Sequence, residues 1–113
     1  MHWRQTGQRA QPVALRAQGA TMIYNYRQHA IKRMYERGIT QVDVETALST
    51  GKVIEDYPND YPLPSCLWLG FIRNRPVHIV FADDKSNGER VIITVYEPDP
   101  AQWSADFATR VKS

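Results

Sequence analysis

The chain has 113 residues, of which 42% are hydrophobic and 23% are charged, and this composition predicts a single globular domain. No apolar run approaches the roughly 20 residues that span a bilayer, so the sequence predicts no transmembrane helix and no membrane partner. The single cysteine, Cys66, excludes an internal disulfide and a cysteine-rich zinc site. It favours a reducing, cytoplasmic location.

The first 21 residues contain Arg4, Arg9 and Arg16 and no acidic residue, and they show no sustained helical or strand period. We expect a disordered tail or a mis-annotated start ahead of Met22, in preference to an organelle transit peptide. Residues 22–113 then form the single domain. Its 11 basic residues (14 less the three arginines) nearly balance 12 acidic residues, so any role in RNA binding depends on a local patch.

Two helices are predicted at the start of this domain. The first runs from about Tyr26 to Arg37, where apolar residues recur at helical spacing, and Gly38 is placed to end it in the left-handed conformation. The second begins after Thr40, a good N-cap with Asp43 in the first turn, and ends at Gly51. The short link between the two predicts a helical hairpin.

Apolar runs separated by turn residues then predict an antiparallel meander of three or four strands. The expected strands are Lys52–Tyr57, Ser65–Ile72, a third that begins at Pro76 and a fourth over Arg90–Tyr96. Residues 58–65 contain three prolines, and we interpret them as a rigid connector in preference to one wall of a substrate groove.

The C-terminal stretch has the pattern of a helix start. Asp99 is placed as the N-cap, Pro100 in the first turn, and Gln102 as the closing member of a capping box. Trp103 and Phe107, four residues apart, would form its apolar stripe. The predicted fold is therefore α+β, with two N-terminal helices packed on a three- to four-stranded antiparallel meander, plus a C-terminal helix on the other face.

The central strands place a candidate site on one face of the sheet. With alternating side chains, His78 shares a face with Thr94 and Tyr96 once the strands pair. We place this face under the first helix, whose edge carries His29 and Arg33 at helical spacing. The opposite choice would put His78 on the far side of the sheet from His29 and would separate the cluster.

Two histidines, an arginine and a tyrosine suit metal-independent RNA cleavage. His29 and His78 would act as general acid and base, in an order that the sequence leaves open, because histidine exchanges protons near neutral pH. Arg33 would bind the phosphate through its planar guanidinium, and Tyr96 would support the reaction. Because no phosphate loop, zinc-protease motif or nucleophile elbow is present, we expect no metal and no cofactor.

The alternative is a non-catalytic binding or regulatory module. In that case His78 would be a buried histidine whose ring is satisfied by a tyrosine or threonine hydroxyl, which is a common arrangement in protein cores. His29 would be buried and satisfied as well, and no cleft would separate the first helix from the sheet.

Several motifs resemble those of domain-of-unknown-function family 4258, within a match from about Tyr26 to Phe107. They include His29-Ala-x-x-Arg33-Met-x-x-Arg37-Gly38-Ile39, Arg75-Pro76-x-His78 and Ile93-Thr94-Val95-Tyr96-x-Pro98-Asp99-Pro100-x-x-Trp103. Members of this family are similar to RelE-type toxins and to the wider barnase–EndoU–colicin–RelE superfamily of small ribonucleases. The resemblance implies a RelE-like fold, cleavage of cellular RNA, and an antitoxin protein as partner.

The same motif positions include all four catalytic candidates, which are His29, Arg33, His78 and Tyr96. Arg37, Arg75 and Thr94 also fall within these motifs, and we expect them to bind substrate. For Arg37 the competing interpretation is a solvated side chain whose aliphatic stem lies along the helix.

Overall fold

One mixed β-sheet with two helices on one face makes up the structure, a computed structural model that describes residues 8–9 and 22–111. Within those residues the strands are β1 (Gln8–Arg9), β2 (Ile23–Tyr26), β3 (Lys52–Tyr57), β4 (Ser65–Ile72), β5 (Arg75–Asp84) and β6 (Glu89–Tyr96). The helices there are α1 (Gln28–Arg37) and α2 (Gln41–Leu48). The strands lie in the order β1-β2-β6-β5-β4-β3. The predicted tail at residues 1–21 lies outside the described residues, apart from the two-residue β1.

The sheet corrects the predicted fold. Strands β3 to β6 pair antiparallel in sequence, but β2 pairs parallel to β6, so the sheet is mixed and wider than the three or four strands expected. Tyr24 and Tyr26 are both buried at strand spacing, and α1 begins only at Gln28. The sequence predicts a helix from about Tyr26 because a short run with two tyrosines fits either a helical arc or a half-buried strand.

The ends of the two helices follow the predicted local chemistry. Gly38 ends α1 with φ 69°, and its N–H bonds the carbonyls of the last turn. Thr40 and Asp43 form a reciprocal capping box at the start of α2, with two hydrogen bonds of 3.0 Å between side chain and backbone N–H.

The helices cover the face of the sheet that carries Val77, Ile79 and Phe81. These side chains belong to one apolar core with Ala30 of α1, which is completely buried. The predicted placement of His78 under α1 is therefore wrong, since His78 alternates with these residues and points to the opposite face.

A β-bulge interrupts simple alternation along β6. The register shifts between Val80, which pairs with Thr94, and Phe81, which pairs with Ile92. The extra residue, Ile93, puts Ile92 and Val95 on the same, helix-covered face.

The segment after β6 contains no helix in the described residues, so the predicted C-terminal helix is wrong. Residues 99–111, which we call the C-terminal segment, form a turn followed by an antiparallel bridge between Trp103 and Arg110. The side chains of Ser104 and Asp106 accept hydrogen bonds from the backbone N–H groups of Thr109 and Ala108. Such local side-chain bonds compete with a helix for the backbone. The C-terminal segment instead lies across the face that carries His78.

We expect Gly70→Ala to destabilise the fold by about 1–3 kcal/mol, because a Cβ at Gly70 would overlap the backbone carbonyl of Ala47 and push α2 away from β4. Gly38→Ala is the matched control. Its Cβ would meet no atom within 4 Å, so only the left-handed φ is penalised, by about 1 kcal/mol. Urea unfolding of both variants measures the difference. A smaller loss for Gly70→Ala than for Gly38→Ala would contradict the close approach of α2 to the sheet.

Candidate functional site

A cavity of about 380 Å³ lies between α1, the end of β6 and the C-terminal segment. The pairing of β2 with β6 reaches Tyr26 opposite Ile92, and the Arg27 N–H then donates to the Ile92 carbonyl at 3.0 Å as the chain turns into α1. α1 therefore takes the place of a strand beside the last residues of β6 and forms one wall of the cavity. The residues that line the cavity are His29, Arg33, Arg37, Thr94, Tyr96, Glu97, Asp99, Gln102, Trp103 and Arg110.

Most of the predicted site residues meet at this cavity. Those that line it are His29, Arg33, Arg37, Thr94 and Tyr96. The two that do not are His78 and Arg75, and each of them contacts a residue that does.

The wall formed by α1 is cationic. His29, Arg33 and Arg37 follow one another along one edge of the helix because residues four apart are neighbours on its surface. All three side chains are exposed. Arg33 Nη1 lies 3.6 Å from Glu36 Oε1, in an exposed i,i+3 pair whose contribution to stability is small. Arg37 Nη1 lies 4.0 Å from Glu97 Oε1.

His78 lies directly behind the cavity, opposite Tyr96 in the pairing of β5 with β6. Its side chain is 0% exposed. The Nε2 atom lies 2.8 Å from the Phe107 carbonyl oxygen, and the Nδ1 atom lies 3.3 Å from the Tyr96 hydroxyl. Because a carbonyl oxygen only accepts, Nε2 carries the proton, and in the neutral ring Nδ1 accepts from Tyr96.

The surroundings keep this pair in its neutral form. Burial lowers the pKa of His78, since an apolar environment disfavours the imidazolium, while the Phe107 carbonyl and the charge of Glu55 act in the opposite direction. The Trp103 ring packs edge-on against the imidazole with 4.4 Å between ring centroids. Burial also raises the pKa of the Tyr96 hydroxyl. A neutral imidazole and a protonated phenol therefore face each other near neutral pH.

The C-terminal segment is fixed in place by an ion pair to the edge strand β3. Arg110 donates to Glu55 through Nε at 2.8 Å and through Nη2 at 3.1 Å. The guanidinium also lies 4.7 Å from the centre of the Trp103 ring. Tyr57 donates to the same carboxylate at 2.6 Å, and the bond to Arg110 lowers the pKa of Glu55. The second wall of the cavity is thus held by a charge pair that joins distant parts of the chain.

Arg75 acts on the cavity through Glu97. Its Nη2 donates to the Glu97 carboxylate, which also lies near Arg37. Arg75 therefore positions an acidic group of the cavity lining, while its own side chain lies outside that lining.

The sequence did not identify Glu97, Asp99 or Arg110 as cavity residues. Asp99 carries a turn signal, which we interpreted as the cap of a helix. Glu97 follows the predicted end of β6 and has no pattern of its own. Arg110 meets Glu55 across 55 positions of sequence, and nothing near either residue indicates that contact.

Within the described residues no group of three or more His, Cys, Asp or Glu side chains is arranged to hold a metal ion. Burial raises the pKa of the Cys66 thiol to about 11, so this sulfur remains a thiol at neutral pH. Neither α1 nor α2 is long and apolar enough to cross a membrane.

The chain was compared with protein-family models, curated proteins and solved structures. The model of a family described as "Domain of unknown function (DUF4258)" matches residues 26–97, which is more than half of the chain. No curated protein and no solved structure matches the chain.

We expect the free energy of unfolding to fall as the pH drops below about 6.5, the ordinary pKa of histidine in an unfolded chain. The lowered pKa of His78 means that the unfolded state takes up this proton first, so stability is lost as the pH falls towards the folded-state pKa. Urea unfolding at several pH values, with an NMR titration of the imidazole, measures the effect. His78→Gln should lack this component, and an equal pH dependence in both proteins would count against a buried neutral imidazole.

Proposed function

The chain belongs to the DUF4258 family, a family of unknown function, and we propose that its cavity binds RNA and cleaves the RNA backbone without a metal ion. The observation that carries this proposal is the composition of the cavity lining. An exposed histidine, His29, and two arginines, Arg33 and Arg37, line one cavity with Tyr96. Proton transfer and stabilisation of phosphate charge are the two requirements of this reaction.

In the proposed reaction the ribose 2′-oxygen attacks the adjacent phosphorus, and the bond from phosphorus to the 5′-oxygen breaks. The 2′-hydroxyl proton passes to the Tyr96 oxygen as the Tyr96 proton passes to Nδ1 of His78. The imidazolium of His29 gives its proton to the departing 5′-oxygen. The products are a 2′,3′-cyclic phosphate and a free 5′-hydroxyl, and solvent then restores both histidines.

These roles assign the order that the sequence left open. His29 is the general acid, and His78 receives the proton of the base step through Tyr96 without touching the substrate. Burial works against a charged His78, so the transfer is uphill. The Phe107 carbonyl, which accepts from Nε2, and the nearby Glu55 carboxylate oppose that cost.

Charge on the phosphorane would be stabilised from α1. A guanidinium places planar N–H donors against phosphate oxygens, which makes Arg33 the main phosphate ligand in this proposal. Its ion pair with Glu36 is long and exposed, so a phosphate can replace that partner at small cost. Arg37 can contribute in the same way, because its contact with Glu97 is also long and exposed and Glu97 is itself bound by Arg75.

One observation favours a second candidate, a module that binds RNA without cleaving it. His78 is completely buried and both of its ring nitrogens have partners, as expected of a structural histidine. In this case the same cationic wall binds phosphate, and Tyr96 is held by His78 solely for shape. The two candidates differ in whether bound RNA remains intact.

We expect the purified protein to cleave RNA in the presence of EDTA, and His29→Ala to slow cleavage by about 10²-fold or more, the usual contribution of a general acid. Lys32→Ala is the matched control, because Lys32 is an exposed residue of α1 outside the cavity lining and should leave the rate unchanged. Gel analysis of end-labelled RNA measures the rates. Wild-type activity in His29→Ala would remove His29 from the mechanism, and tight binding of intact RNA by the wild type would favour the binding module.

The resemblance to RelE-type toxins supports a toxin-like role for this activity and an antitoxin as partner. An enzyme that cleaves cellular RNA harms its host unless it is controlled, and a protein that covers the cationic wall of α1 would block access to the phosphate site. The partner expected for that wall is therefore acidic where it meets His29 and Arg33.

Expression of the wild-type chain without its partner should arrest bacterial growth, whereas His29→Ala at equal protein level should not. Colony counts after induction, with immunoblots to match expression, provide the measurement. Equal growth of the wild-type and His29→Ala strains would argue against a toxin, whatever the activity of the purified protein.

A further inference from the structure

The hydroxyl of Tyr96 has a fixed hydrogen-bond polarity. The Phe107 carbonyl accepts a hydrogen bond from the Nε2–H of His78. This leaves Nδ1 to accept a hydrogen bond from the Tyr96 hydroxyl. The complete burial of His78 prevents water from replacing either partner. With its single proton committed to Nδ1, the Tyr96 oxygen can offer only lone pairs to a molecule in the cavity.

We propose that the Tyr96 oxygen accepts a hydrogen bond from a ribose 2′-hydroxyl and thereby makes the cavity selective for RNA over DNA. This inference rests on the proposed function and names the group of the substrate that the site reads. It assigns Tyr96 a role in selectivity that does not depend on whether the bound RNA is cleaved.

The cationic groups of the cavity leave the 2′-hydroxyl as the substrate group that matches the Tyr96 oxygen. Phosphate oxygens only accept, so they pair with the donors of Arg33 and His29 and gain nothing from an oxygen whose proton is committed elsewhere. Deoxyribose has no hydroxyl at this position, whereas the 2′-hydroxyl of RNA is both a donor and an acceptor. The neighbouring Thr94 hydroxyl rotates to donate or accept, and therefore cannot discriminate in the same way.

Binding of short oligonucleotides tests the proposal in a His29→Ala background, in which cleavage should be slowed by about 10²-fold or more. The RNAs carry a single 2′-fluorine in place of one 2′-hydroxyl at successive positions, since fluorine keeps the sugar shape but cannot donate a proton. One position should lose affinity by about five-fold, as expected for one neutral hydrogen bond. Adding Tyr96→Phe should abolish the sensitivity of that position, and the ratio of RNA to DNA affinity should fall by the same factor.

Thr94→Val in the same background is the matched control and should keep the sensitivity to fluorine. Circular dichroism establishes that each variant is folded, and the fluorine scan with Tyr96 intact gives a readout that needs no substitution at the buried pair. RNA that binds equally well with fluorine at every position, or a sensitivity that survives Tyr96→Phe, would overturn this proposal alone. Absence of any RNA binding would overturn the proposed function together with it.

Discussion

The hydrogen bond from His78 Nε2 to the Phe107 carbonyl connects the fold to the site. It ties the C-terminal segment to the second face of the sheet, and it sets which nitrogen of the ring carries the proton. Because the Nε2 proton is hydrogen-bonded to the Phe107 carbonyl, Nδ1 must accept a hydrogen bond from the Tyr96 hydroxyl. The side chain of Tyr96 lines the cavity. A buried group that looks purely structural thus determines the chemistry of an exposed one. Breaking either hydrogen bond would leave a buried polar atom without a partner, which would lower the free energy of unfolding by about 1–3 kcal/mol. This cost stabilises the arrangement.

The two faces of the sheet have different roles. The face with Val77 and Ile79 carries the apolar side chains that α1 and α2 close into the main core. The opposite face carries His78 and Tyr96 and is covered by a segment without helical structure, where side chains such as Ser104 satisfy the backbone. A segment without regular structure can pack on polar side chains, because its backbone carbonyls are free to accept hydrogen bonds from them. The carbonyls within a helix are already hydrogen-bonded. The cavity opens where the two covers meet at the end of β6.

Local chemistry allowed much of the helical hairpin and the β3–β6 meander to be predicted, since capping residues, glycines and apolar runs act over a few positions. The parallel pairing of β2, the bulge at Ile93 and the Glu55–Arg110 pair depend on contacts between distant residues, which no short pattern encodes. The site shows the same division. The spacing of His29 and Arg33 correctly put them on one helical edge, but the face under that helix was a free choice from sequence. Because the helices cover the opposite face, His78 lies behind the cavity and does not line it.

The cations of the cavity differ in how readily they can serve a ligand, although the domain as a whole is nearly neutral. Arg110 is engaged twice, by a bidentate bond to Glu55 and by the face of Trp103, so its charge is used to hold the wall. Arg37 shares the Glu97 carboxylate with a neighbour from β5. Arg33 forms a long, exposed pair with Glu36 of its own helix, and such pairs contribute little. The strength of an arginine's existing partner, more than its presence at the cavity, therefore decides which guanidinium can exchange it for a phosphate.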